Sequence, residues 1–80
     1  MSMNTSELAE HLRTMYRGAP KGDAVAMIHL FGIKYAAQIK EAGVSARDIV
    51  LAAGINESYA VEVNKGINLD RYVEPRPQYR

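Results

Sequence analysis

The sequence contains no cysteine and no tryptophan, and it has one phenylalanine and three prolines in 80 residues. Without cysteine the chain cannot build a disulfide framework or a thiolate metal site. Its core must therefore come from aliphatic residues, alanines and five tyrosines, which suffice for one small domain. The lack of cysteine also fits a reducing compartment, and we predict a cytoplasmic protein.

A long hydrophobic run and an excess of one charge are also missing. The longest apolar stretch, AVAMIHLFGI from Ala24, is too short to span a bilayer, and the polar start does not resemble a secretory signal. We predict no membrane partner. The formal net charge is +1. Since non-specific affinity for DNA comes mainly from clustered Lys and Arg, DNA binding would have to rest on local geometry.

No catalytic or metal-binding signature stands in the sequence. His11 and His29 have no second ligand at suitable spacing, and no serine has a base and oxyanion-hole donors nearby. His29 lies in an apolar helical stretch and is predicted to be a core histidine with a hydrogen-bond partner. We predict a protein that is not an enzyme and has no catalytic residue, no metal and no cofactor.

Hydrophobic periodicity predicts an all-α fold, a compact bundle of about five short helices. We expect one domain over residues 4–73. An extended or disordered tail is predicted over residues 74–80, where Pro75 and Pro77 interrupt regular structure.

The first three predicted helices differ in how clearly their ends are marked. Asn4 or Thr5 can cap the first, with Glu7 placed as in a capping box, and its charged residues, Arg13 among them, should be solvated. Its apolar face comprises Leu8, Leu12 and Met15. Asp23 is predicted to cap the second helix, and Gly32 to separate it from a third. One helix that runs through Gly32 at a cost of about 1 kcal/mol is the alternative.

The segment ARDIVLAAGINESYAVEVNK from Ala46 carries the strongest pattern. Ser45 can cap its first helix, Gly54 permits the positive φ of a tight turn, and Ile55 would fill that turn. Asn56 can cap its second helix, which Gly66 is predicted to end. The predicted inward residues are Ile49, Val50, Ala53, Tyr59, Ala60 and Val63.

This segment resembles the helix-turn-helix family over about 20 residues, with Val50 where that family usually has alanine. Together with MIHLFGIKYA from Met27 it resembles the small bacterial HTH-like domains, which occur alone or appended to restriction-type endonucleases. The resemblance implies a non-catalytic module that contacts double-stranded DNA, as a regulator or as an accessory to a restriction or phage-defence-type system. The implied DNA-binding residues are Arg47, Asn56, Glu57, Ser58, Val61, Glu62, Lys65 and Arg71.

A short repeat gives a weaker resemblance. KYAAQI from Lys34 and SYAVEV from Ser58 place the same Tyr-Ala pair and a following aliphatic residue 24 positions apart. Both copies look like helix-hairpin-helix motifs, in which a glycine-rich hairpin offers backbone N–H groups to a phosphate. Each copy keeps one of the two usual glycines, Gly32 in the first and Gly54 in the second. Only the inward positions repeat, so the likeness indicates shared helix packing.

The alternative function is a protein-interaction module that does not bind nucleic acid. Two carboxylates, Glu57 and Glu62, on the second helix of the unit favour it, as does an apolar residue, Val61, between them. A homodimer through the apolar face of the first helix is one version. A contiguous basic face across the Gly54 turn would favour DNA, and a mixed face would favour a protein partner.

Overall fold

All regular structure in residues 2–80, which the computed structural model describes, is helical. The α-helices are α1 (Thr5–Arg17), α2 (Ala24–Ala42), α3 (Ala46–Ala52) and α4 (Ala60–Leu69). Single turns of 3-10 helix lie at Glu57–Tyr59, just before α4, and at Pro77–Tyr79. The predicted all-α class is confirmed, with four α-helices in the described residues instead of about five.

The starts of α1 and α3 have the predicted caps, and the start of α2 does not. At α1 the Asn4 side chain accepts from the Glu7 N–H at 2.8 Å, and the Glu7 carboxylate accepts from the Asn4 N–H at 3.1 Å. At α3 the Ser45 hydroxyl accepts from the Asp48 N–H at 3.0 Å. Asp23 occupies the cap position of α2, but its side chain makes no capping hydrogen bond. Short polar side chains thus fix the starts of α1 and α3.

The predicted break at Gly32 is wrong, because α2 runs through it without interruption. Gly32 is buried where α2 crosses α4, and a Cβ atom there would lie 2.5 Å from the Val63 carbonyl oxygen. The predicted helix end at Gly66 is also wrong, since α4 continues to Leu69. A Cβ on Gly66 would overlap the His29 carbonyl oxygen. Both glycines therefore serve close backbone packing and end no helix.

The continuous α2 also excludes a hairpin in the first copy of the sequence repeat, because Gly32 lies inside a helix. In that copy Ala36 and Ile39 are buried, and in the second copy Val63 is fully buried while Ala60 is half-buried. The repeated residues are packing residues, as expected.

One hydrophobic core joins all four helices. Its fully buried large side chains are Leu8, Leu12, Ile28, Phe31, Ile49, Val50 and Val63. Most predicted inward residues of the Ala46 segment are buried as expected, whereas Tyr59 and Ala60 pack against the core only in part. The predicted dimer surface on α1 is wrong, because Leu8 and Leu12 lie inside the monomer and Met15 packs partly against the same core.

Residues 74–80, the predicted tail, are mostly exposed and contain the second 3-10 turn. Arg80 contacts this segment itself, with its Nη2 atom 3.3 Å from the Glu74 carboxylate and its Nε atom donating to the Pro75 carbonyl oxygen at 3.3 Å. No helix in residues 2–80 combines the length and the apolar character needed to cross a membrane.

The α2–α4 crossing predicts the effect of adding one methyl group. Gly66→Ala should lower the free energy of unfolding by about 1–3 kcal/mol, because the new Cβ would force the two backbones apart. Helix propensity alone would raise it by about 1 kcal/mol, so the sign distinguishes the two effects. Urea unfolding followed by circular dichroism measures the difference.

A matched control for this substitution is Ala37→Gly, at an exposed position of α2. It measures the propensity difference between the two residue types where nothing packs closely. A Gly66→Ala protein more stable than the wild type would contradict the close crossing.

Candidate functional site

The turn between α3 and α4 has the geometry of a helix C-cap closed by glycine. Gly54 has a φ of 73°, and its N–H donates to the Leu51 carbonyl oxygen at 3.0 Å. The Ile55 N–H donates to the Val50 carbonyl oxygen at 3.1 Å, and the Ile55 side chain is buried. This pair of hydrogen bonds is the Schellman arrangement, which needs a residue with positive φ. The predicted roles of Gly54 and Ile55 are confirmed.

The approach to α4 is fixed by a second cap. The Asn56 side-chain oxygen accepts from the Ser58 N–H at 2.9 Å, and the 3-10 turn Glu57–Tyr59 leads directly into α4. Asn56 and Ser58 are both exposed. Asn56 caps as predicted, and its amide nitrogen stays available to a ligand.

Arg13 ties the turn to α1 and is not the solvated residue that the sequence predicted. Its Nε atom donates to the Ala53 carbonyl oxygen at 3.2 Å, and Nη2 donates to the Ala52 carbonyl oxygen at 3.1 Å. These carbonyl groups belong to the end of α3, where helical partners run out and positive charge is favourable. Arg13 also forms an ion pair with Glu10. The α3–turn–α4 unit is thereby held on α1.

The two predicted reader carboxylates both have partners. Glu57 lies 2.7 Å from the Arg47 Nε atom, and both side chains are more than half exposed. Glu62 turns back toward α2, and its carboxylate lies 2.7 Å from His29 Nε2 on α2 and 3.4 Å from Lys65 Nζ on α4. Only 21% of the Glu62 side chain is exposed, so Glu62 lies beside the exposed face of α4.

The His29–Glu62 contact has an electrostatic consequence. The hydrogen bond from His29 is the main cause that lowers the pKa of Glu62, and partial burial opposes it while Lys65 adds to it. His29 is half-buried and has the hydrogen-bond partner that the sequence predicted, although it stands at the edge of the core. The pair joins the first half of α2 to the first half of α4.

The exposed face of α4 carries two residues that the sequence reasoning missed. Val61, Asn64, Lys65 and Asn68 are exposed and follow the i, i+3, i+4, i+7 spacing of one helix face. Val61 is 57% exposed. The same spacing, counted from Val61, would have found Asn64 directly, and Asn68 once α4 was known to extend beyond Gly66.

The charges around this face are mixed and largely paired. Arg47 is matched by Glu57 and Lys65 by Glu62, and Arg71 is a cation with no carboxylate within 4.0 Å in residues 2–80. Arg71 instead lies over the Tyr72 ring, 5.5 Å from its centroid. Near the Gly54 turn the charges are therefore mixed, since Arg47 is paired with Glu57, and this feature taken alone favours a protein partner.

The HTH-like likeness is shared with a known protein family. The sequence profile of a family described as an HTH-like domain matches residues 4–76. The chain belongs to this family. Comparison with the curated proteins and with the solved structures gave no match. An HTH-like domain generally suggests a DNA-binding module, and the individual DNA-binding residues remain predictions. Residues 2–80 contain no group of three or more His, Asp or Glu residues that could hold a metal ion.

The lowered pKa of Glu62 predicts a stability change in acid. A carboxyl group whose pKa is lower in the folded state stabilises that state at pH values above the ordinary pKa of the group, 4.5. This stabilisation is lost as the pH falls through the folded pKa. Glu62→Gln should therefore lower the free energy of unfolding at about pH 6, with a smaller difference from the wild type at about pH 3. Urea unfolding at both pH values measures this.

Glu41→Gln serves as the control, since Glu41 is an exposed carboxylate on α2 whose hydrogen bond comes from the Ser2 hydroxyl and not from a histidine or a lysine. An equal loss of stability on acidification in the wild type and in Glu62→Gln would show that the His29–Glu62 contact is absent in solution.

Proposed function

We propose that this HTH-like domain contacts double-stranded DNA through the exposed face of α4, as a non-catalytic regulator or accessory of a restriction or phage-defence-type system. The observation that carries the proposal is the composition of that face. Glu62, which would repel phosphate, is drawn back to His29, and Asn64 and Asn68 stand exposed beside Lys65. The family supports the proposal, because HTH-like domains generally suggest DNA binding.

The side chains on this face suit the major groove. An Asn amide can donate to and accept from adenine at once, and an aliphatic group such as that of Val61 can contact a thymine methyl group. The Lys65 Nζ atom lies 3.4 Å from a Glu62 carboxylate oxygen. Once this ion pair breaks, Lys65 can bind a phosphate or the edge of a guanine. Asn56 and Ser58 stand where the helix would enter the groove.

The paired charges set an expectation for affinity. Arg71 is available to bind a phosphate. Arg47 could bind one only after its ion pair with Glu57 breaks. With two or three phosphate contacts the salt dependence should be shallow, because each contact changes the slope of log K against log salt by about 0.9. Non-specific binding should therefore be weak, and affinity should depend on base contacts.

A protein-interaction module remains the second candidate, and a separate observation favours it. Leu51 on α3 is 50% exposed and Val61 on α4 is 57% exposed. Exposed aliphatic residues surrounded by mixed charges match the apolar core and polar rim of a protein–protein interface. A partner recovered from nuclease-treated lysate, together with a pure protein that ignores DNA, would favour this candidate.

The DNA proposal is tested by titrating the 15N-labelled protein with a pool of duplex DNA at low salt. Backbone signals of Asn56–Lys65 and Arg71 should shift, and the shifts should weaken as salt rises. Lys65→Met should weaken binding and reduce the salt slope by about one unit, since one phosphate contact is lost. Lys40→Met, at an exposed position near the end of α2, is the matched control and should leave binding unchanged.

Base readout is tested separately by Asn64→Ala and Asn68→Ala. In a selection from random duplexes, each should relax the preference at one or two positions, by about 1–3 kcal/mol per lost bidentate contact. No shift of any α4 signal at low salt would overturn the DNA proposal.

A further inference from the structure

An open cavity of about 360 Å³ lies beside the exposed face of α4, between α2 and the end of α4. Its lining consists of His29, Lys65, Asn68, Leu69, Arg71 and Tyr72. The exposed lining is mainly apolar, with Leu69 40% and Tyr72 76% exposed. Such a volume lies at the lower end of the range for small-molecule sites, roughly 300–1,000 Å³.

The charged groups at this cavity are of one sign. Lys65 and Arg71 line it, and no carboxylate does. Glu62 stands just outside, where His29 and Lys65 hold it, and Asp70 and Glu74 line the adjoining depression that shares Arg71 and Tyr72 with this cavity. Arg71 has no carboxylate within 4.0 Å in the described chain, so its guanidinium is the principal anion-binding group. A guanidinium matches a carboxylate with two parallel hydrogen bonds.

The apolar lining indicates that an anionic ligand should also have an apolar group. The Tyr72 ring lies under Arg71 and is open to solvent on much of its surface, which suits stacking with a flat apolar group. Leu69 offers an aliphatic surface on α4. We propose that this cavity binds a small aromatic carboxylate, with its carboxylate on Arg71 and Lys65 and its ring against Tyr72 and Leu69.

The position of the cavity gives the ligand a regulatory effect. Lys65 and Asn68 line the cavity and also belong to the α4 face proposed to contact DNA. A bound carboxylate would draw Lys65 away from Glu62 and occupy space beside Asn68, so ligand and DNA should compete. This effect rests on the proposed function, whereas ligand binding itself does not.

Binding is tested with 3-phenylpropionate as the probe for the 15N-labelled protein, followed by NMR. Saturable shifts should concentrate at residues 65–72 and at His29. The neutral analogue 3-phenylpropionamide should bind about tenfold more weakly, because it cannot form the charge-assisted contact with Arg71. Acetate should also bind weakly, since it lacks the ring.

Two matched variants locate the site. Arg71→Met should weaken probe binding about tenfold while keeping an apolar side chain of similar length, and Arg76→Met, at an exposed arginine that does not line the cavity, should leave it unchanged. Circular dichroism spectra of both variants should match that of the wild type, which would show that both are folded. Equal binding of probe and amide, shifts that do not saturate, or an unaffected Arg71→Met protein would overturn the proposal. So would an acidic peptide that displaces the probe at much lower concentration, which would assign the cavity to a protein partner.

The regulatory effect has a separate readout. Saturating 3-phenylpropionate should weaken duplex DNA binding severalfold in the wild type. In Arg71→Met it should have little further effect, measured against the DNA affinity of that variant without the probe, because Arg71 is itself a proposed phosphate contact. Probe binding without any DNA binding would leave the cavity assigned and reject the proposed function. DNA binding that the bound probe does not change would reject the regulatory effect alone.

Discussion

The close crossing of α2 and α4 at Gly32 and Gly66 is the constraint on which the rest of the structure depends. With no Cβ on either residue, the two backbones meet directly, and α2 packs against α4 more extensively than any other pair of helices does. This contact sets the rotation of α4 about its own axis. It places Val63 in the core and Glu62 against His29, and it turns Val61 and Asn64 to solvent. The candidate interface is therefore a consequence of helix packing.

A second set of contacts fixes α3 and the turn after it. The backbone N–H groups of the Gly54 cap bind the carbonyl groups of Val50 and Leu51. The next two carbonyl groups, of Ala52 and Ala53, accept hydrogen bonds from the Arg13 side chain on α1. Because the carbonyl groups at the end of α3 all have hydrogen-bond partners, the turn can lead into α4 in few other conformations. The α3–turn–α4 unit is thus held from both sides, by α1 at the turn and by α2 along α4, and its exposed face can act as a rigid surface.

Charge pairing changes how that surface should be understood. By sequence, Glu57 and Glu62 count against DNA in equal measure, but the fold separates them: Glu62 is withdrawn to His29, while Glu57 stays exposed and paired to Arg47. What remains on α4 is polar and nearly neutral. Such a surface gives little long-range attraction and depends on close contacts, whether with bases or with a protein. Family membership supports DNA, and the mixed, paired charges around the Gly54 turn explain why composition alone could not decide.

The sequence by itself determined the features that depend on neighbouring residues. These are the helical class, the caps at Asn4 and Ser45, the glycine turn at Gly54 and most of the core, because capping, turn geometry and hydrophobic spacing act within a few residues. Only the tertiary structure decided the features that depend on distant residues. A glycine in a helix gives the same local signal whether it breaks the helix or packs against another. Gly32 and Gly66, 34 positions apart, acquire their role only from the backbone of the opposite helix. For the same reason the partners of Arg13 and Glu62, and with them the exposed face of α4, follow from the packing of whole helices.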